Sequence, residues 1–179
     1  MLTQAGLFLL DAVLGFLTFA LLLRFYMQAF RVSFANQVGA FVVQLTNWLV
    51  KPLRRVLPGV FGLDLASLLP AYLLQLLLLF AVFSLRGGFE IQAPGQVLAM
   101  LFWQAALATL RISIYLLIGA LILQAVLSWV SPYSPLSRPV AQLTQPFLNP
   151  IRRVVPPIAA IDLSPLIAIL LAQLILIFL

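Results

Sequence analysis

The chain has 179 residues, 64% hydrophobic and 8% charged, with ten Lys or Arg against four Asp or Glu and a net charge of +6. A soluble domain carries about 45–50% apolar and about 25% charged residues, so a water-soluble globular fold is excluded and the solvent of this chain is mostly lipid. Cysteine and histidine are both absent, which removes disulfides, thiolate chemistry, haem ligation through histidine and the usual zinc sites. No metal and no cofactor is expected.

Inside a bilayer only helices and closed barrels satisfy their own backbone, and roughly 20 apolar residues suffice for a helix to cross. Four such spans are expected, at about Gly6 to Phe30, Leu65 to Leu85, Ile112 to Val130 and Leu163 to Leu179. The fold class is therefore an all-α integral membrane protein with four transmembrane helices in two helical hairpins. The first run lacks a basic leader and a small-residue cleavage site, so it reads as a retained span rather than a signal peptide. Beyond it, Phe41, Val42, Leu45, Trp48 and Leu49 share one helical face, with Gln44, Thr46, Asn47 and Lys51 mainly elsewhere. That spacing predicts an amphipathic interfacial helix in the linker. An unbroken helix from Gln96 to Val130 would be about 52 Å long. Residues 96–110, anchored by Trp103, are therefore expected to lie flat on the outer surface before the third span; one long tilted helix is the alternative. In the second linker Val140, Leu143, Phe147 and Leu148 form a similar apolar face, which Pro139, Pro146 and Pro150 are expected to shorten or kink.

The two halves are copies of one another. Aligned on Leu45 and Leu143, they repeat Leu45, Thr46, Pro52, Arg54, Arg55, Val56, Pro58, Asp64, Leu65, Leu68, Leu73, Gln75 and Leu76 without a gap. Residues 1–93 and 94–179 thus form two repeats. The linker of the first holds Arg31, Lys51, Arg54 and Arg55, that of the second Arg138, Arg152 and Arg153, and the segment between repeats only Arg86 against Glu90. By the positive-inside rule both repeat linkers face the cytoplasm and both termini the periplasm, so the hairpins run parallel. Anionic phospholipid headgroups are the natural counter-charge, and no nucleic acid is expected.

The polar residues that survive duplication are the candidates for function. Each interfacial helix is followed by Pro-x-Arg-Arg-Val-x-Pro, from Pro52 and from Pro150. Prolines on either side would hold Arg54, Arg55, Arg152 and Arg153 at headgroup level, for a lipid phosphate or a partner carboxylate. Asp64 and Asp162 precede the second and fourth spans, as helix caps or as ion-pair partners of those arginines. Gln75 and Gln173 fall near the bilayer midplane, with Gln28 and Gln124 corresponding near the ends of the first and third spans. Hydrogen bonding between repeats or a solute path would use them. Asp11 and Arg111 are unduplicated charges in or beside spans.

The second copy, Leu148-Asn-Pro-Ile-Arg-Arg-Val-Val-Pro-Pro-Ile-Ala-Ala-Ile-Asp-Leu-Ser-Pro-Leu-Ile167, resembles the signature of the YggT family, also called YlmG, of bacterial and plastid membrane proteins. The two-repeat form is similar to that of proteobacterial inner-membrane members. Lys51, Gly59 and Ala66-Ser67 depart from the motif in the first copy, so a site using the whole motif, Asn149 and Pro150 included, is expected in the second. The resemblance implies roles in osmotic-shock resistance, ion homeostasis and the organisation of division. A haem-attachment role known in one plastid branch transfers poorly to a chain without His or Cys.

The expected function is a non-enzymatic inner-membrane scaffold or assembly protein, acting with a membrane-protein partner or as a homo-oligomer. The four carboxylates are scattered, and no nucleophile and base stand together. The alternatives are a small oligomeric channel or ion-transport modulator, and an organiser that binds anionic lipid.

Overall fold

The computed structural model describes residues 2–57, 63–85, 94–131, 133–155 and 162–179; Pro58, Pro156, Arg86 and Glu90 lie outside them. Among the described residues there are six α-helices: α1 Leu2–Ala29, α2 Gln37–Val56, α3 Leu65–Leu85, α4 Pro94–Val130, α5 Ser137–Val154 and α6 Ser164–Phe178. Helices α1, α3 and α4 are long and apolar enough to cross a membrane, while α6, at 15 residues, is a shorter apolar helix. A helix of that length rises about 22 Å. The long apolar helices mark a membrane protein.

Helix α1 ends in a Schellman closure. The Val32 amide donates to the Met27 carbonyl at 2.7 Å and the Arg31 amide to the Gln28 carbonyl at 3.1 Å, with Met27 and Val32 packed in one cluster beneath. Arg31 takes the left-handed conformation, φ 55°, that glycine usually supplies at this position. The chain then turns into α2, where the Asn36 side chain accepts from the Gly39 amide at 2.8 Å and caps the first turn.

Helices α2 and α5 differ from expectation in extent. Instead of ending before a proline-braced turn, α2 runs through Pro52 and α5 through Pro146 and Pro150, so both arginine pairs occupy last helical turns. Cations there meet the helix dipole favourably. In α5 the prolines stand four residues apart on an exposed face. Burial of Val140, Leu143, Thr144 and Leu148 on the other side holds the helix together without a break. The apolar residues of α2 divide in two: Val42 and Val50 pack inward, whereas Phe41 and Trp48 are exposed.

Helix α4 is a single unbroken helix of 37 residues, about 55 Å long, and residues 96–110 are not separated from it. No proline falls between Gly95 and Val130 to interrupt its backbone ladder. Its first half lies against α3, where the Tyr72 hydroxyl donates to the Phe102 carbonyl at 3.1 Å. Ile112 and Leu116 join Leu21, Leu22, Val50 and Ala71 of the first repeat in one core, and Leu121 packs with Leu148 and Ala168 of the second. Phe30 and Phe147, edge to face at 5.8 Å, add a further contact between the halves.

A Cβ on Gly39 would stand 2.6 Å from the Phe34 Cα and 2.8 Å from its carbonyl oxygen, whereas one on Gly119 would meet nothing within 4 Å. Gly39→Ala is therefore expected to cost about 1–3 kcal/mol, seen as a lower Tm in tryptophan-monitored melting in detergent, while Gly119→Ala leaves Tm unchanged or raises it.

Candidate functional site

The last turn of each amphipathic helix brings its first arginine to the aspartate ten residues on, at the foot of the next apolar helix. In the first copy Arg54 grips Asp64 with two bonds: Nε to Oδ1 at 3.2 Å and Nη2 to Oδ2 at 2.5 Å. Ser67 Oγ donates to Oδ2 at 2.6 Å, and Arg54 Nη2 reaches Gln28 Oε1 of α1 at 2.7 Å. The Asp64 carbonyl also accepts from the Ser67 and Leu68 amides, opening α3. One aspartate therefore ends the linker, starts a helix and anchors a cation, at 2% exposure.

In the second copy Arg152 Nε and Nη2 both donate to Asp162 Oδ2, at 3.0 and 2.7 Å. Asp162 Oδ1 accepts the amide of Ser164, the first residue of α6, at 2.9 Å, and Pro165 occupies the first turn. This pair is solvated, with both side chains about a third exposed (37% and 34%). The Arg–Asp spacing is the same in both copies. The burial is not.

The environment of each carboxylate follows from these partners. Burial pushes the Asp64 carboxyl up, but the hydrogen bonds from Arg54 and Ser67 and the positive field of Arg54 and Arg24 outweigh it and hold the group below its ordinary range. Asp162 is likewise lowered, burial being overcome by Ser164 and Arg152.

A second polar link joins each amphipathic helix to the long helix before it. Arg24, 4% exposed, donates from Nη1 to Thr46 Oγ1 at 2.7 Å and from Nη2 to Asn47 Oδ1 at 3.1 Å. Its Nε is buried without a hydrogen-bond partner among the described residues. In the second copy Thr144 bonds Gln124 instead. Gln124 thus corresponds to Arg24, not to Gln28, and the second copy has a neutral group where the first has a cation. Arg24 was detectable as a charge inside an apolar run, and Thr46 and Thr144 as a duplicated pair.

The other expected residues scatter. Gln75 is buried and donates to Thr18 Oγ1 at 3.1 Å within its own repeat, while Gln173 is exposed on α6. Asp11 is exposed on α1, and Arg111, midway along α4, donates to the Leu179 carbonyl at 2.5 Å. Arg55, Arg153, Asn149 and Pro150 are exposed. The side chains of Arg55 and Arg153 form no hydrogen bond or ion pair among the described residues. No group of three or more metal-binding side chains occurs among the described residues.

Two amphipathic helices, each pinned by its arginine to the start of the following apolar helix, define a duplicated helical membrane protein. The chain belongs to the CCB3/YggT family, whose model matches residues 3–85 and 103–179, once per repeat. It is 39% identical to the Escherichia coli K12 protein YggT over 166 residues, 92% of this chain and 83% of that one. It is 36% identical to a Pseudomonas aeruginosa protein over 176 residues, 97% and 87% of the two chains. A Vibrio alginolyticus protein is 33% identical over 161 residues, 89% and 85% of the two. All three of these relatives are themselves named as uncharacterised proteins. No solved structure matches the chain.

Asp64→Asn leaves a nearly buried site without its anion between two cations and is expected to cost about 1.5–3 kcal/mol. Asp162→Asn, in a solvated pair, costs about 0–1 kcal/mol, and thermal unfolding of the two variants side by side checks the order. Because the folded Asp64 is more acidic than the unfolded group, at about 3.9, its contribution is complete above that value and disappears as pH falls through the folded one. Wild-type Tm should therefore fall more steeply than that of Asp64→Asn below about pH 4.

Proposed function

We propose that this protein is a non-enzymatic, four-span scaffold or assembly component of the bacterial inner membrane, with both termini periplasmic and both amphipathic helices on the cytoplasmic face. Its work is to hold a membrane-protein partner, in support of osmotic and ion homeostasis and of envelope or division organisation. The observation that carries this reading is a division of labour within each arginine pair. Arg54 and Arg152 are engaged by aspartates of their own chain, while Arg55 and Arg153, one residue on, stand exposed and unpaired among the described residues. The first arginine fixes the helix and leaves its neighbour displayed at a set position. Phe41 and Trp48, 56% and 65% exposed on α2, add apolar surface beside it, as an interfacial helix or a partner contact requires.

The channel reading draws less from the geometry. Gln75 is committed to Thr18, Asp64 and Asp162 to arginines, and Gln173 faces outward, so the polar groups it needs do not share one path. The family resemblance supports the osmotic connection, and the scattered carboxylates support a non-catalytic role.

The test is partner retention in mild detergent after crosslinking in intact cells. The double variant Arg55→Gln, Arg153→Gln, which spares both ion pairs, is expected to lose co-purifying protein at least several-fold while keeping wild-type Tm. Full retention of every partner by that variant counts against the proposal.

A further inference from the structure

Between the repeats runs an apolar groove of about 430 Å³, bounded by Tyr26 and Phe30 from α1, Leu143 and Phe147 from α5, and Ala172 and Ile175 from α6. Helix α4 forms its floor from Leu110 to Ala120, a rise of about 15 Å, half the roughly 30 Å thickness of a bilayer hydrocarbon core. The groove therefore has the length of one leaflet. Phe30 and Leu143, at one end of the lining, are the chain neighbours of Arg31 and Gln142, which belong to a second recess of about 370 Å³. Ser33, Ala35 and Asn36 of the first repeat and Pro135, Arg138 and Pro139 of the second complete its lining. Among the described residues no acidic one lines either space. The side chains of Arg31 and Arg138 are exposed and form no hydrogen bond or ion pair among the described residues.

Arg31 also occupies a costly position. Its φ of 55° lies in the region where a side chain is strained and glycine is not, and strain of this kind collects where function holds it. For closing α1 alone, glycine would serve better. Arginine there puts a cation at the mouth of the recess, opposite one from the other repeat.

We propose that this seam binds one anionic phospholipid, its phosphate held between Arg31 and Arg138 and an acyl chain laid along the groove over α4. Two unpaired guanidinium groups match a phosphodiester, for which arginine has the geometry and charge. The adjoining apolar groove matches a chain of one leaflet. Each repeat contributes one arginine, so the bound lipid joins the halves. The inference rests on the reading that both linkers lie at the cytoplasmic leaflet, but it requires no protein partner and does not use Arg55 or Arg153.

The test is lipid retention by full-length protein in mixed micelles containing dioleoylphosphatidylglycerol or dioleoylphosphatidylcholine, read by native mass spectrometry. Wild type should retain one phosphatidylglycerol and not the choline lipid. Arg138→Gln and Arg31→Gly should each weaken retention about fivefold, and Arg31→Gly should do so with Tm unchanged or raised, an outcome a structural role for the arginine would not give. Ala172→Phe, which fills the groove, should weaken retention with both arginines present, whereas Arg55→Gln, Arg153→Gln should leave it intact. Equal retention of both lipids, or retention unaffected in Arg31→Gly, Arg138→Gln, overturns the proposal. Displacement of the lipid by millimolar inorganic phosphate makes this an anion site only and overturns the acyl half. A dimer that forms in wild type and is lost in Ala172→Phe assigns the groove to a second copy and overturns it as well.

Discussion

An arginine in the last turn of an amphipathic helix, held by an aspartate at the start of the next apolar helix, is the constraint around which each half is arranged. In the first repeat Arg54 reaches Asp64 and Gln28 at once, so the end of α1, the end of α2 and the start of α3 meet at one guanidinium. The other link, from Arg24 to Thr46 and Asn47, ties α2 back to α1 about two turns earlier. Two polar attachments along one helix set its direction as well as its place. The apolar face could then pack with Val42 and Val50 inward and leave Phe41 and Trp48 exposed.

Duplication preserved the constraint but not its surroundings. Asp64 is nearly buried and receives bonds from Arg54 and Ser67, whereas Asp162 is a third exposed and divides its oxygens between Arg152 and the Ser164 amide. Gln124 replaces Arg24, so the second copy has one cation fewer beside its aspartate. The first copy is the more tightly held, and the second keeps the fuller family motif with its ion pair open to water. Helix α4 connects them, its Ile112 and Leu116 in the core of the first repeat and its Leu121 in that of the second. The two copies are therefore not independent, because one element serves both cores.

Much of this was legible in the sequence because the bilayer leaves few choices. Apolar runs gave α1, α3 and the second part of α4 their places, and the gapless register of Arg54 with Arg152 and Asp64 with Asp162 marked the residues that meet. What was not legible depended on competition between local and tertiary terms. Pro52, Pro146 and Pro150 suggested helix ends, yet packing of the buried faces carried both helices through them. The length of residues 96–130 argued for a break, but nothing in the backbone there supplies one. Gln75 found its partner in Thr18 of its own repeat rather than across the repeats, a choice that spacing on one helix does not reveal. Arg24 was visible as a charge in an apolar run, but only the structure joins it to Thr46.

If the proposed scaffold works as described, both pinned helices lie on the same side of the membrane and display Arg55 and Arg153 to the cytoplasm. The chain contains no cysteine, so single substitutions Arg55→Cys and Arg153→Cys give clean reporters for a membrane-impermeant thiol reagent. Both sites should resist labelling in spheroplasts and label fully once the membrane is permeabilised. Labelling of either one in intact spheroplasts would place its helix in the periplasm and contradict the account.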